Sequence, residues 1–386
     1  MAELLDMAAR VVFWVSLGAL YYIYDGYLRL LSLWSLCRGT APGPAGRSGP
    51  PPRLTVLLTV HNEAEAVIGR IENILANDYP AESLEVLVAS DGSTDGTDDL
   101  VTGFGDPRVR LFRTEGRLGK SETQKQALLH AAGEIIVFTD AGTVFARDFL
   151  AKVVQAFADP RVGGVDGHLL IISDPQSCVS ASQGLYWRRE LRMRRLESDL
   201  GFLAVASGAC LAVRREYLRP LPEDVGEDCV VPLDVVGQGA RMVHAEEALA
   251  YDTMNGETAG EFRARVRMTH RNVLGTWRYR KLLNPLTRPG YALALWSHKM
   301  MRWMSPLFLV GLTIAACWLA GRSLFYTLSA AGLALFYIAG LLGCLASRRG
   351  ARIPVAGTIF SFLLANLGFA YGLARALSGG RVTGYH

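Results

Sequence analysis

Residues 84–97 read LEVLVASDGSTDGT. The opening six are apolar apart from Glu85, rich in β-branched and aliphatic side chains, and followed at once by turn formers. That pattern describes a short buried strand closed by an acidic turn. The same unit recurs on either side. Residues 54–60 form an apolar run and 63–76 have helical spacing; 94–101 suit a short helix, 109–113 a third strand, 120–132 a helix and 134–139 a fourth strand. Strands alternating with helices predict βαβ units and a mostly parallel sheet covered by helices, an α/β fold. In open sheets of this kind, ligands lie beyond the carboxyl ends of the strands. Three strands end there in polar turns: Thr59-Val60-His61-Asn62-Glu63, Ser90-Asp91-Gly92-Ser93-Thr94-Asp95-Gly96-Thr97 and Thr139-Asp140-Ala141-Gly142-Thr143. One such turn is explained by the capping habits of Asp, Ser and Gly. Three at one edge point to carboxylates that accept hydrogen bonds from a base or ribose, or that hold a hard divalent cation. No GxGxxG follows the first strand and no GxxxxGK[ST] occurs, which sets aside dinucleotide and P-loop chemistry.

The chain has 386 residues, half of them hydrophobic and only 20% charged. Soluble domains carry about 25% charged residues, so part of this chain belongs in lipid. Residues 305–321, 323–347 and 353–374 are uncharged, near the roughly 20 residues of a membrane span. A fourth candidate, residues 11–36, is interrupted by Asp25 and Arg29; Asp25 lies either at the interface of a tilted helix or in a polar lining. The N-terminus lacks the basic region of a cleaved signal peptide. Arg38, Arg47 and Arg53 follow the first span, Arg288, Lys299 and Arg302 precede the second, and Arg348, Arg349 and Arg352 lie between the last two; only Arg322 separates spans two and three. The positive-inside rule then makes residues 38–304 cytoplasmic, with Arg375 and Arg381 in mild conflict. Residues 41–53, APGPAGRSGPPPR, suit an extended tether. The expected layout is an N-terminal membrane helix (1–37), a linker (38–53), the α/β domain (54–257), interfacial helices (258–304) and three membrane helices (305–386). The net charge of +4 gives no basic footprint for nucleic acid, and the six cysteines show neither CxxC pairing nor zinc spacing.

The ordered blocks VLLTVHNEAEAV, VLVASDGSTDGT, GRLGKSETQKQAL and IIVFTDAGTVF, followed by SGACLAVRREYL and GEDCVVPLDVVGQGARMVHAEEALAYD, resemble the family 2 glycosyltransferases with a Rossmann-like GT-A fold. The resemblance covers about residues 54–280 closely. With the membrane segments, the chain resembles the membrane-integrated polysaccharide synthases, with fewer spans. The resemblance implies roles residue by residue. Thr59, Val60, His61 and Glu63 border the nucleotide, Asp91 binds the uracil ring, and Lys120 touches the nucleotide. Asp140 opens the DxD signature that holds Mg²⁺ or Mn²⁺ on the diphosphate. Asp228 is the general base with Glu227 beside it, and Ser207 and Gly208 lie on the acceptor side.

Two departures stand out. The second Asp of DxD is Gly142, so Asp140 would be assisted by diphosphate oxygens, water and His244, unless His244 is a plain structural histidine. The QxxRW motif of processive synthases is also absent. Arg267 and Arg271 in that region either clamp the diphosphate or form a basic face against anionic lipid. In residues 185–198, LYWRRELRMRRLES, Trp187 either stacks on an acceptor sugar or belongs to a membrane-surface helix. Residues 291–303, YALALWSHKMMRW, suit an interfacial helix.

The expected function is an inverting transfer of sugar from a UDP-sugar, such as UDP-N-acetylglucosamine or UDP-glucose, to a glycan or lipid-linked hydroxyl. The setting is cell-envelope or extracellular polysaccharide synthesis at a bacterial inner membrane or plasma membrane. Partners would be membrane lipid and an export protein or a second copy. The alternatives are a polyprenyl-phosphate sugar transferase and an inactive nucleotide-binding subunit of an export complex.

Overall fold

A computed structural model describes residues 1–38, 49–172, 178–253, 258–349, 351 and 353–379. Most of the expected linker, with Arg47, and also Arg352 and Arg381, lie outside these described residues.

The strands are β1 (Leu54–Val60), β2 (Leu84–Ser90), β3 (Val109–Arg113), β4 (Ile135–Asp140), β5 (Val144–Phe145), β6 (Val162–Ile172), β7 (Leu211–Arg214) and β8 (Arg241–Thr253). They form one sheet in the order β3-β2-β1-β4-β7-β6-β8-β5. β1 to β4 are parallel, with Leu54 between Leu84 and Ile135, so their carboxyl ends share an edge. β7 runs antiparallel between β4 and β6, which makes the sheet mixed. Every residue of β2 is buried. Its one charge, Glu85, accepts from Thr55 Oγ1 at 2.9 Å and pairs with Arg110 at 2.6 Å, which offsets the cost of burial.

Helices cover both faces of the sheet. These are α2 (Val67–Leu75), α3 (Thr97–Thr102), α4 (Lys120–Ala127) and α5 (Phe149–Ala156), then α6 (Cys178–Leu200), α7 (Glu227–Gly237) and α8 (Thr258–Arg278). In α2, Val67, Ile71 and Ile74 recur at helical spacing and pack on the core beside Phe149 and Val153 of α5. Each such burial stabilises the fold by on the order of 1.5–3 kcal/mol. Ala127 of α4 and Val230, Val231 and Leu233 of α7 fill the other face.

Among the described residues, four helices are long and apolar enough to cross a membrane: α1 (Ala2–Arg38), α9 (Pro289–Leu319), α10 (Leu324–Arg348) and α11 (Pro354–Leu377). α1 begins well before residue 11, and the segment 291–303 is continuous with the following span. Each of α1 and α9 carries one π turn, at Tyr22–Gly26 and Leu295–Met300, and Tyr22 Oη lies 2.8 Å from Ser297 Oγ across them. Asp25 pairs with Arg29 and, at 3.1 Å, with Arg189 of α6, so it marks where α1 meets the sheet domain. At the opposite end of the bundle, Asp6 accepts from Trp318 Nε1 at 3.0 Å and pairs with Arg322. Glycines permit close helix packing here. Gly340 and Gly343 of α10 receive Leu363, Ala356 and Phe360 from the N-terminal half of α11. Gly368 and Gly372 in its C-terminal half lie against Arg265 and Thr269 of α8. The described cysteine side chains are unpaired thiols.

Candidate active site

The turns after β1, β2 and β4 arrive at one edge, and an ion-paired cluster forms there. Lys120 is the first residue of α4, behind Gly119 with φ +92°, a conformation that favours glycine. Its ammonium lies 2.6 Å from Asp140 Oδ1, at the end of β4, and 2.7 Å from Glu227 Oε1, at the start of α7. Asp91 holds the loop that presents Lys120. Its Oδ1 accepts from the amides of Leu118 and Gly119 at 2.7 and 2.9 Å and from Thr123 Oγ1 at 2.9 Å. Asp91 therefore reaches the shared edge with its carboxylate engaged by protein. Gly208 is required for the approach of Glu227, because a Cβ there would stand 2.6 Å from Glu227 Oε1.

Adjacent carboxyls at the start of α7 are driven apart. Burial alone would raise Glu227, but Lys120 outweighs it and holds the carboxyl below its ordinary range. Burial, and then the charge of Glu227, raise Asp228, against the opposing pull of Lys299 and Lys120. One carboxylate thus stays ionised while its neighbour is the readier proton acceptor. Asp228 lines a cleft of about 170 Å³ together with Trp187, Arg265, Lys299, Trp303 and Phe369. Trp187 Nε1 donates to the Leu169 carbonyl at 2.6 Å, and the Arg194 guanidinium lies over its ring at 5.2 Å.

The residues after β1 are placed by the turn after β2. Thr59 Oγ1 accepts from Gln124 Nε2 at 3.1 Å, His61 Nδ1 donates to the Asp91 carbonyl at 2.8 Å, and the Glu63 amide donates to Thr97 Oγ1 at 2.9 Å. Burial, then Asp95 and Asp140, raise the Glu63 carboxyl. Val60 is a core side chain, which leaves only its backbone for a ligand. The Ser207 amide donates to Asp166 Oδ1 at 2.8 Å.

His244 is not brought to Asp140. Its Nδ1 lies 2.8 Å from Asp166 Oδ2 and its Nε2 lies 3.0 Å from His168 Nδ1, inside a buried group that includes Arg194. Arg267 and Arg271 stand one turn apart on α8, on the face opposite Arg265, Thr269 and Asn272, which line the cleft.

Asp252, Arg70, Arg265 and Lys299 escaped the sequence reading. Val144 of β5 pairs with Tyr251, which brings Asp252 beside Thr143 and Gly142. A Cβ on Gly142 would be 3.5 Å from Asp252 Oδ1, and Thr143 Oγ1 donates to Oδ2 at 3.5 Å. Burial, then the charge of Asp140, raise the Asp252 carboxyl. Arg70 donates to Thr139 Oγ1 at 2.7 Å and to the Asp140 carbonyl at 3.3 Å, with its guanidinium 4.1 Å from the centre of the Phe145 ring. Burial pushes it down to about 9, against the pull of Asp140 and Asp252.

Comparison with known proteins fits this geometry. Residues 55–221 match the family described as Glycosyl transferase family 2. An N-acetylglucosaminyltransferase of Rhizobium sp. strain N33 is 24% identical over 282 residues, covering 68% of this chain and 62% of that relative's length. A β-monoglucosyldiacylglycerol synthase of Synechocystis sp. is 28% identical over 182 residues, covering 45% of this chain and 38% of the relative. A mannosyltransferase from Pyrobaculum calidifontis, solved with GDP-Man and Mn²⁺, superposes with a TM-score of 0.70 at 25% identity, over 97% of this chain and 99% of that one. The sheet order, the charged edge and these likenesses agree: residues 55–221 carry the family 2 glycosyltransferase match, and the chain is a glycosyltransferase with a GT-A fold.

Proposed function

We propose that this glycosyltransferase is embedded in a bacterial inner membrane or plasma membrane with its sheet domain on the cytoplasmic side. It moves a sugar from a UDP-sugar, UDP-N-acetylglucosamine or UDP-glucose, to a hydroxyl of a glycan or lipid-linked acceptor. The observation that carries this reading is the position of Asp228. It is a carboxyl with raised proton affinity, adjacent to the Lys120–Asp140–Glu227 cluster on one side and open on the other to a cleft lined by α9 and α11. The names of the relatives support a nucleotide-sugar donor, and those of the rhizobial and cyanobacterial proteins support N-acetylglucosamine or a lipid as substrate chemistry.

The chemistry is a single displacement. Asp228 takes the proton of the acceptor hydroxyl as it attacks, and general-base help of this kind contributes about 10²–10⁴-fold. Attack opposite the leaving group inverts the anomeric centre. Lys120 supplies positive charge where the diphosphate departs, with Glu227 and Asp140 fixing its ammonium. Among the described residues, no three His, Cys, Asp or Glu side chains form a metal cage. A nucleotide-bound Mg²⁺ or Mn²⁺ needs only one or two protein carboxylates. Asp140 and Asp252 fit that need, since Asp252 restores from β8 the carboxylate that Gly142 lacks. When bound, the ion would neutralise the diphosphate.

A screen of UDP-sugars with detergent-solubilised protein, reading released UDP with and without EDTA, tests the reading. Release that EDTA suppresses, together with weakened Mn²⁺ binding by Asp252→Asn in the presence of UDP, is the expected result. Undiminished release in EDTA would overturn the metal role, and no release from any UDP-sugar would overturn the donor.

A further inference from the structure

The cleft beside Asp228 has two unlike walls. Trp303 of α9 and Phe369 of α11 are apolar, buried, and come from helices long and apolar enough to cross a membrane. Asp228 and Lys299 are polar and face the same space. Arg265 lies over the Tyr186 ring at 5.8 Å, and three other cations around the cleft are held by carboxylates. Arg194 pairs with Asp166 and Glu190, Arg302 with Glu190, and His298 with Glu190 and Glu197. Lys299 differs. It donates to Asn272 Oδ1 at 3.0 Å and meets no carboxylate at ion-pair distance among the described residues. A soluble glycan does not need the apolar wall, and an uncharged lipid does not need the lysine. We infer that the acceptor is a membrane amphiphile with a phosphate beside its reacting hydroxyl, its phosphate on Lys299, its hydroxyl at Asp228 and its chain along Trp303 and Phe369. This assignment rests on the transferase reading above and names its acceptor class. An ammonium–phosphate contact is a charge-assisted hydrogen bond, among the stronger polar contacts.

Native mass spectrometry of the full chain in a neutral detergent tests it directly. The protein is titrated with phosphatidylglycerol, with a polyprenyl diphosphate-linked N-acetylglucosamine, and with diacylglycerol. At least one phosphate lipid should bind about tenfold tighter than diacylglycerol, the scale of one charged hydrogen bond. Lys299→Met should abolish that preference, Lys299→Arg should restore it, and Trp303→Leu should weaken all three. Whichever phosphate lipid binds tighter identifies the source of the phosphate. Equal retention of diacylglycerol, or a preference unchanged in Lys299→Met, would overturn the inference. UDP release measured on the same preparation separates the two readings. Release without lipid preference leaves the transferase intact and removes this acceptor. Lysine-dependent lipid binding without release from any donor removes the transferase reading.

Discussion

Lys120, Asp140 and Glu227 sit at the open edge of the sheet, where Asp140 keeps 40% of its side chain exposed. Glu190, His298 and Arg302 line the deep wall of the cleft with Glu197 beneath them, each exposed by a tenth or less. Both groups mix carboxylates with cations, yet their connections differ. At the sheet edge one ammonium is shared by two carboxylates, and a diphosphate can compete for it. At the deep wall, Tyr27 of α1 donates to Glu197 at 2.8 Å, His298 of α9 lies 2.9 Å from both glutamates, and Arg302 lies 3.0 Å from Glu190. Three helices, α1, α6 and α9, thus converge on charges with nowhere else to go. The exposure of Asp140 opens the first cluster to exchange, while burial makes the second a joint between the sheet domain and the apolar helices.

Three substitutions test that contrast, from the largest effect to the smallest. Asp228→Asn should lower kcat by about 10²–10⁴-fold while leaving thermal unfolding in detergent nearly unchanged. A matching loss of stability would show that Asp228, which adjoins the sheet-edge cluster through Glu227, holds the fold as the buried cluster does. Glu190→Gln should do the reverse. It strands Arg302, Arg194 and His298 without their shared carboxylate, and breaking a buried pair costs about 3–5 kcal/mol. A melting temperature within error of the parent would show that the joint contributes little. The smallest effect concerns pH. Asp228 accepts a proton only when ionised, so turnover rises as pH climbs through its raised pKa. Lys299 draws that pKa down, so Lys299→Met should move the acid limb of the rate profile to higher pH by less than about one unit. A limb that stays in place or moves down would separate Lys299 from the base.

Much of the sheet was legible because its strands are apolar runs closed by turn chemistry, and parallel order forces their polar ends to one edge. Asp140 could be placed for that reason, and Lys120 through the family resemblance alone. Asp252 could not, since its neighbour is set by the pairing of β5 with β8, which no local pattern encodes. His244 follows a strand-like run as a ligand would, but the pleat of β8 turns it toward Asp166. On α8 the arginines were legible as a group, and only the phase of the helix against α11 selects Arg265 over Arg267 and Arg271 for the cleft. Lys299 lay within a segment that reads as an interfacial helix, and its continuity with α9 gives it a fixed place beside Asp228.

The two grips of α11 have a topological consequence. Its first half is clasped by α10, but Gly372, near its end, rests on Thr269 of the sheet domain's α8. One continuous helix of 24 residues thus links the apolar bundle to α8 of the sheet domain.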